Sequence, residues 1–396
     1  SMAYALYDES KVYEEYQSLF AGQWSNGMLP QVIFHEESDA YFPGPDFWMT
    51  DRSKLVSDVN SSGITMPAVH GFVMHYLLTK TTNLDNTSRF LKYIIPHIIE
   101  SHAFMYEYRD PAAEALPCII HPWESGTDNS PLYDKSLSLI NIDKDTLPEY
   151  IRKDLKYRNA ASHRPDNTDY DRFVYLVDLF RTRDYNQKHI INDCPFVIQD
   201  PLFIALLNYS NEALIEICQF LNMDYSIIDE WYTATNEAMY SKLFGSRDRF
   251  AAYDFCNSEF IEGITSSSMM PALTVPLSTE ETKAMFGSFE NDFIRKAHPS
   301  CPTTMPSHSN YEANRYWRGP IWLNLNYLLY KVFNLHGKKE MRDRLIHDSI
   351  DLVRENGFFE YFNASKGQND IACGSPDFSW TAAMYIVFKN ELKGNN

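Results

Sequence analysis

Positive charge is scarce in this chain: 35 Lys and Arg face 53 Asp and Glu, a formal net charge of −18 over 396 residues. A partner held by its phosphates, nucleic acid above all, is excluded on that balance, and so is an anionic membrane surface. No apolar run approaches the length of a membrane span, and the N-terminus spells no basic-then-apolar leader. Cysteines are few and scattered, at positions 118, 194, 218, 256, 301 and 373, with no C-x-x-C pair. Neither a zinc knuckle nor a compact disulfide framework fits that spacing, so a reducing compartment, the cytoplasm, is expected. The twelve histidines show no H-E-x-x-H pattern, and no metal is expected. Alternating strands, a β-α-β rhythm and a Gly-rich phosphate loop are also missing, so no nucleotide cofactor is expected.

What remains is a folding composition, 44% hydrophobic and 22% charged, with an excess of aromatics: 25 Phe, 26 Tyr and 7 Trp. Flat amphipathic rings suit the apolar faces of sugars, and with this charge a small carbohydrate is the expected partner. Helical periodicity dominates. Arg89 to Tyr108 carries Leu91, Ile94, Ile95, Ile98 and Ile99 on one stripe, with Pro96 inside it or in its first turn. Similar stripes run through 173–180, 201–221, 227–243 and 337–356, where Gly357 is the expected stop. A last helix is expected from Asp377 as N-cap to Leu392. With no linker or break in composition, residues 1–396 read as one all-α domain, in which helix hairpins pack side by side or close into a toroid.

Loops between helices need only turn formers, yet three are dense in aromatic and acidic residues. The first runs from His121 to Pro131 as His-Pro-Trp-Glu-Ser-Gly-Thr-Asp-Asn-Ser-Pro. The second runs from Asn314 to Asn326 and contains Tyr316-Trp317-Arg318-Gly319-Pro320-Ile321-Trp322. The third is Gly357-Phe358-Phe359-Glu360-Tyr361-Phe362-Asn363, trailed by Lys366-Gly367.

These loops, in this order, closely resemble glycoside hydrolase family 63, relatives of the processing α-glucosidases, and especially its short members acting on mannosylglycerate or glucosylglycerate. The resemblance extends to Gly22 through Pro30, Tyr41 through Pro45, Ser62 through Thr65, Arg164-Pro165, Tyr170-Asp171-Arg172 and Asp200-Pro201-Leu202. It implies an (α/α)6 barrel and an inverting α-glycosidase needing no metal for its chemistry. Asp128 falls on the family's general acid and Glu360 on its general base. Inversion asks for that pair, one carboxyl to protonate the departing oxygen and one carboxylate to activate water on the opposite face. Glu124, a rival acid in the first loop, reads instead as a structural hydrogen-bond acceptor.

The same resemblance implies a sugar site drawn from Tyr41, Trp123, Tyr316, Trp317, Trp322 and Trp380. Arg164 and Tyr170 fall where the family holds the aglycone, and an Arg fork suits a carboxylate. For each the plainer alternative is a core aromatic, a cap or a surface ion pair. Two departures stand out. The family's upstream Trp-Asp-Ser motif, whose Asp grips the sugar, is not spelled before Gly22, and Met66 follows Ile64-Thr65 where relatives have Gln. The first leaves open a toroid short of its first inner helix, with an apolar seam between N-terminal and C-terminal helices to be covered either by the segment Tyr4 to Phe20, through Tyr13, Tyr16, Leu19 and Phe20, or by a neighbouring subunit. Both leave a catalytically weakened sugar-binding relative as the alternative. A second rival is a toroidal sugar epimerase working through His pairs.

Overall fold

The computed structural model describes residues 1–36, 41–56, 59–156, 160–245, 247–294, 300–365 and 371–394; Lys366, Gly367 and the last two residues of the polar tail lie outside them. The long helices are α1 (Glu9–Phe20), α2 (His70–Lys80), α3 (Leu84–Tyr108), α4 (Asn167–Thr182), α5 (Pro201–Leu221), α6 (Ser226–Ala238), α7 (Thr279–Phe289), α8 (Leu323–Leu335), α9 (Lys339–Asn356) and α10 (Ser379–Gly394). A 3-10 segment, Ser266–Leu273, stands among them.

Burial sorts these elements into two layers. On α5 and α8, and all along the 3-10 segment, buried residues occupy every face, as expected of elements walled in on all sides. On α3, α6, α7 and α9 burial is confined to one stripe: Leu345, Ile346, Ser349, Ile350, Leu352 and Val353 on α9, for example, behind a charged outer face. The inner elements pack in succession, α2 on α5, α5 on the 3-10 segment, that segment on α8, and α8 on α10, while α3, α6 and α9 back α2, α5 and α8. The result is a helical toroid. Strands are minor: β1 (Ile198–Gln199), β2 (Ala252–Asp254) and β3 (Glu259–Ile261) form one antiparallel sheet, β4 (Tyr361–Phe362) and β5 (Ala372–Cys373) another.

Helix boundaries follow local chemistry. Asp200 caps α5 by accepting from the Phe203 N–H at 2.9 Å, with Pro201 in the first turn. Gly357 ends α9 at φ 89, a conformation open to glycine. Pro96 sits inside α3, which starts five residues before the expected Arg89 and is capped by Asn83. Asp377 does not cap α10: it stands before the helix at φ 55, and α10 begins at Ser379.

The seam is present. Between α10 and α2 lies a cavity of about 620 Å³ with apolar walls that include Leu19, Val73, Leu206, Leu328 and Met384. Helix α1 covers it in part, since Tyr16 and Leu19 face it, whereas the Tyr13 ring lies against Phe90 at 4.4 Å. Met66 lines this cavity and not the sugar-sized one described next.

Candidate active site

The first loop leaves an isolated bridge between Ile119 and Ile198 and enters a 3-10 turn, Pro122–Ser125. Gly126 reverses it at φ 72, and the Ser130 side chain caps the turn that follows. Glu124 anchors it from beneath. Its fully buried carboxylate accepts from Thr65 N at 3.1 Å, Ile120 N at 2.8 Å and Arg109 Nη2 at 2.9 Å. Three donors on two oxygens make it the acceptor read from the sequence, and it does not line the cavity. His121 clamps the other side, accepting from Trp123 N at 3.1 Å and facing the Phe173 carbonyl through Nε2 at 3.1 Å. Burial lowers that imidazole to about 3, so it stays neutral.

The three loops are stitched together. Arg318 of the second grips Asp134, just beyond the first, through two bonds of 2.7 Å. Ile321 of the second exchanges both backbone bonds with Phe362 of the third, at 2.8 and 3.0 Å. The Tyr133 hydroxyl donates to Asp200 at 2.8 Å, tying the first loop to the start of α5. Residues far apart in sequence thus converge at one rim of the toroid, around a cavity of about 370 Å³, a small-molecule size.

All ten site residues read from the sequence line that cavity: Tyr41, Trp123, Asp128, Arg164, Tyr170, Tyr316, Trp317, Trp322, Glu360 and Trp380. Their exposures differ. Trp317 and Trp322 are nearly buried and stack at 3.6 Å, with Tyr361 4.9 Å beyond, so they are core and cavity wall at once. Tyr41 and Trp380 are exposed at the mouth. Glu360 is buried against Arg164, whose Nη2 donates to both carboxylate oxygens at 2.8 and 3.1 Å, and Ser375 N adds a third bond at 3.1 Å. The Arg164 guanidinium also lies over the Tyr316 ring at 4.2 Å. Burial pushes the Asp128 carboxyl up to about 7; the Arg164 cation opposes the rise and the Glu360 charge adds to it.

The cavity also takes in Gln31, Phe42, Gly126, Lys153, Asp154, Pro165 and Phe378, none of which was assigned a role. Most sit inside or beside the quoted motifs, and that adjacency was the available signal. Gln31 follows Pro30 directly and donates to the Trp123 carbonyl at 2.6 Å. Lys153 and Asp154 lie in a polar stretch that carries no motif. No histidine is among the described lining residues, which speaks against an epimerase built on His pairs. His70 and His102 are buried elsewhere, lowered by burial to about 3 and about 4.

The sequence profile of the mannosylglycerate hydrolase MGH1-like glycoside hydrolase domain matches residues 1–381. The chain belongs to this family of glycoside hydrolases. It is 34% identical to a mannosylglycerate hydrolase of Thermus thermophilus, with 96% of this chain and 90% of that protein aligned. To a glucosylglycerate hydrolase of Mycolicibacterium hassiacum it is 27% identical, over 94% of this chain and 85% of the other. Its fold superposes with a TM-score of 0.91 on the crystal structure of a family 63 mannosylglycerate hydrolase from Thermus thermophilus in complex with Tris. The two are 32% identical, and the match covers 98% of this chain and 91% of that one. The chain is therefore a glycoside hydrolase of family 63 type with a helical toroid fold. No helix among the described residues is long and apolar enough to cross a membrane.

Proposed function

We propose that this hydrolase cleaves a small α-glucoside or α-mannoside with inversion at the anomeric carbon, its preferred substrates being glycosides of glycerate. Asp128 is the general acid and Glu360 the general base. The observation that carries the reading is the contrast between two carboxyls on one cavity: Asp128, pushed up to about 7 by burial, and Glu360, ion-paired to Arg164. A carboxyl raised by burial suits the acid, and one ion-paired to a guanidinium suits the base.

In the reaction, protonated Asp128 gives its proton to the glycosidic oxygen as the bond to the anomeric carbon breaks. Glu360 takes a proton from the water attacking the opposite face. One water is added, the acid ends as a carboxylate and the base as a carboxylic acid, and exchange with solvent resets both. An attacking water between base and anomeric carbon requires carboxyls about 6.5 to 9.5 Å apart. Tyr316 and Trp123, partly buried on the cavity wall, offer ring surface to the sugar, and the nearly buried Trp317–Trp322 stack backs Tyr316. The names of the relatives, mannosylglycerate and glucosylglycerate hydrolases, support a glycerate aglycone and favour neither sugar.

The test is to incubate the purified chain with α-glucosylglycerate, α-mannosylglycerate and α-linked disaccharides and to follow the anomeric protons by NMR. The β-anomer is expected first. Initial release of the α-anomer overturns inversion, and no hydrolysis of any of them favours the sugar-binding alternative.

A further inference from the structure

One cation of the cavity lining has no partner in the form that would start the reaction. The described lining carries three carboxylates, Asp128, Asp154 and Glu360, and two cations, Lys153 and Arg164. Glu360 is held by Arg164. Asp154 is held from outside the cavity lining by Arg152, whose Nε and Nη2 donate to its two oxygens at 3.0 and 2.6 Å. With Asp128 protonated, as a general acid must be before it acts, Lys153 is the cation left over. Among the described residues its ammonium makes no hydrogen bond and no ion pair. In a chain of net charge −18, an unpaired cation on a cavity wall is a feature that selects.

Lys153 is also presented by a fastened segment. Its neighbour Arg152 binds Asp154 on one side and the Asn167 side chain at 3.0 Å on the other, and lies over the Tyr170 ring at 4.0 Å. The backbone on both flanks of Lys153 is thereby tied to the start of α4 and to an aromatic of the cavity wall. A lysine held in this way offers three donors to a point charge.

We propose that Lys153 is a specificity-determining residue that reads a carboxylate on the leaving group, favouring α-glycosides of a small hydroxy acid over those of a neutral polyol. This rests on the reaction assigned in the preceding subsection and adds to it the residue that chooses the aglycone's charge. Arg164 already shares its charge with Glu360, its Nη2 serving both carboxylate oxygens. Lys153 supplies a charge not committed to the catalytic pair.

The test compares two substrates of one skeleton, α-glucosylglycerate and the neutral α-glucosylglycerol, in the full chain and in Lys153→Met and Lys153→Arg. Lys153→Met is expected to raise KM for the glycerate glycoside about tenfold with kcat within about twofold, and to leave the glycerol glycoside unmoved; Lys153→Arg should keep most of the preference. Equal effects on both substrates, or none on either, overturn the assignment. If the wild-type chain hydrolyses neither, the reaction itself has been misread. Lys153 is then judged by NMR titration with D-glycerate, where Lys153→Met should weaken binding about tenfold, and an unchanged Kd or absence of wild-type binding overturns it.

Discussion

Arg164 and Glu360, 196 residues apart in the chain, share an ion pair of 2.8 Å in which one guanidinium nitrogen serves both carboxylate oxygens. Removing the cation strands a carboxylate that is only 6% exposed. Arg164→Met should therefore lower stability by about 3 kcal/mol or more and reduce kcat/KM by at least about a hundredfold, because the stranded group protonates or moves. Glu360→Gln should abolish turnover while keeping most of the stability. Thermal melts set beside initial rates read both, and an Arg164→Met variant with wild-type kcat/KM would remove Glu360 from the base role.

Asp128 makes a prediction about pH. A general acid is competent only while protonated, so with its carboxyl at about 7, kcat/KM should be level through mildly acidic pH and fall about tenfold per unit above roughly pH 7. Asp128→Asn should lower the rate by about 10² to 10⁴ and remove that limb from what remains. Retention of the limb in the variant would move the titrating group elsewhere.

The same carboxyl bears on stability. Its folded value of about 7 lies above the ordinary value of 3.8, so from about pH 4 to pH 7 the folded chain binds more protons than the unfolded one. Stability contributed at this position falls as pH rises through that window, and the penalty is complete above 7. Asp128→Asn lifts it. The variant should be more stable than wild type by about 2 kcal/mol at pH 8, after allowing for solvent at the cavity wall, and nearly equal at pH 4. Urea titrations at the two pH values check the sign.

Beneath the first loop, Arg109→Met would leave the Glu124 carboxylate buried with two backbone donors and no counter-charge. A loss of about 3 to 5 kcal/mol is expected, with activity falling as well, since Glu124 fixes the turn that carries Asp128. Denaturant unfolding and rates measured on the surviving folded fraction separate the two effects.

The helices were legible because each solvent-facing one repeats its apolar residues at the helical period, and α5 was read to both ends from Asp200-Pro201 and the run to Leu221. The site was legible for a different reason: its loops carry Trp, Tyr, Asp and Glu where turn formers would suffice, and their strings resemble a known family. Lys153 and Asp154 were not, since a lone charged pair in a polar stretch has no period and no motif; only the chain path brings them to the cavity wall. The start of α10 was misread because Asp377 has the composition of a cap but a left-handed backbone, which no local pattern announces. The seam beside α2 was legible as an expected gap between the N-terminal and C-terminal helices, whereas its extent depended on how far α1 leans across it.

Gly374 tests how tightly Glu360 is placed. It follows β5 at φ 73, and a Cβ there would stand 2.5 Å from Glu360 Oε2 and 2.6 Å from its Cβ. Neither the left-handed backbone nor the contact tolerates a side chain, and both Glu360 and the Tyr361 ring, 2.8 Å away, would have to give way. Glu360 N donates to the Ser375 carbonyl at 3.0 Å and Ser375 N to the carboxylate at 3.1 Å, so relieving the contact shifts the Glu360 backbone and its carboxylate together. A shift of about 1 Å in a catalytic group costs on the order of a hundredfold. Gly374→Ala should therefore lower kcat about a hundredfold with a smaller effect on KM, at about 1 to 2 kcal/mol in stability. A variant with unchanged kcat would show that the position of Glu360 does not govern the rate.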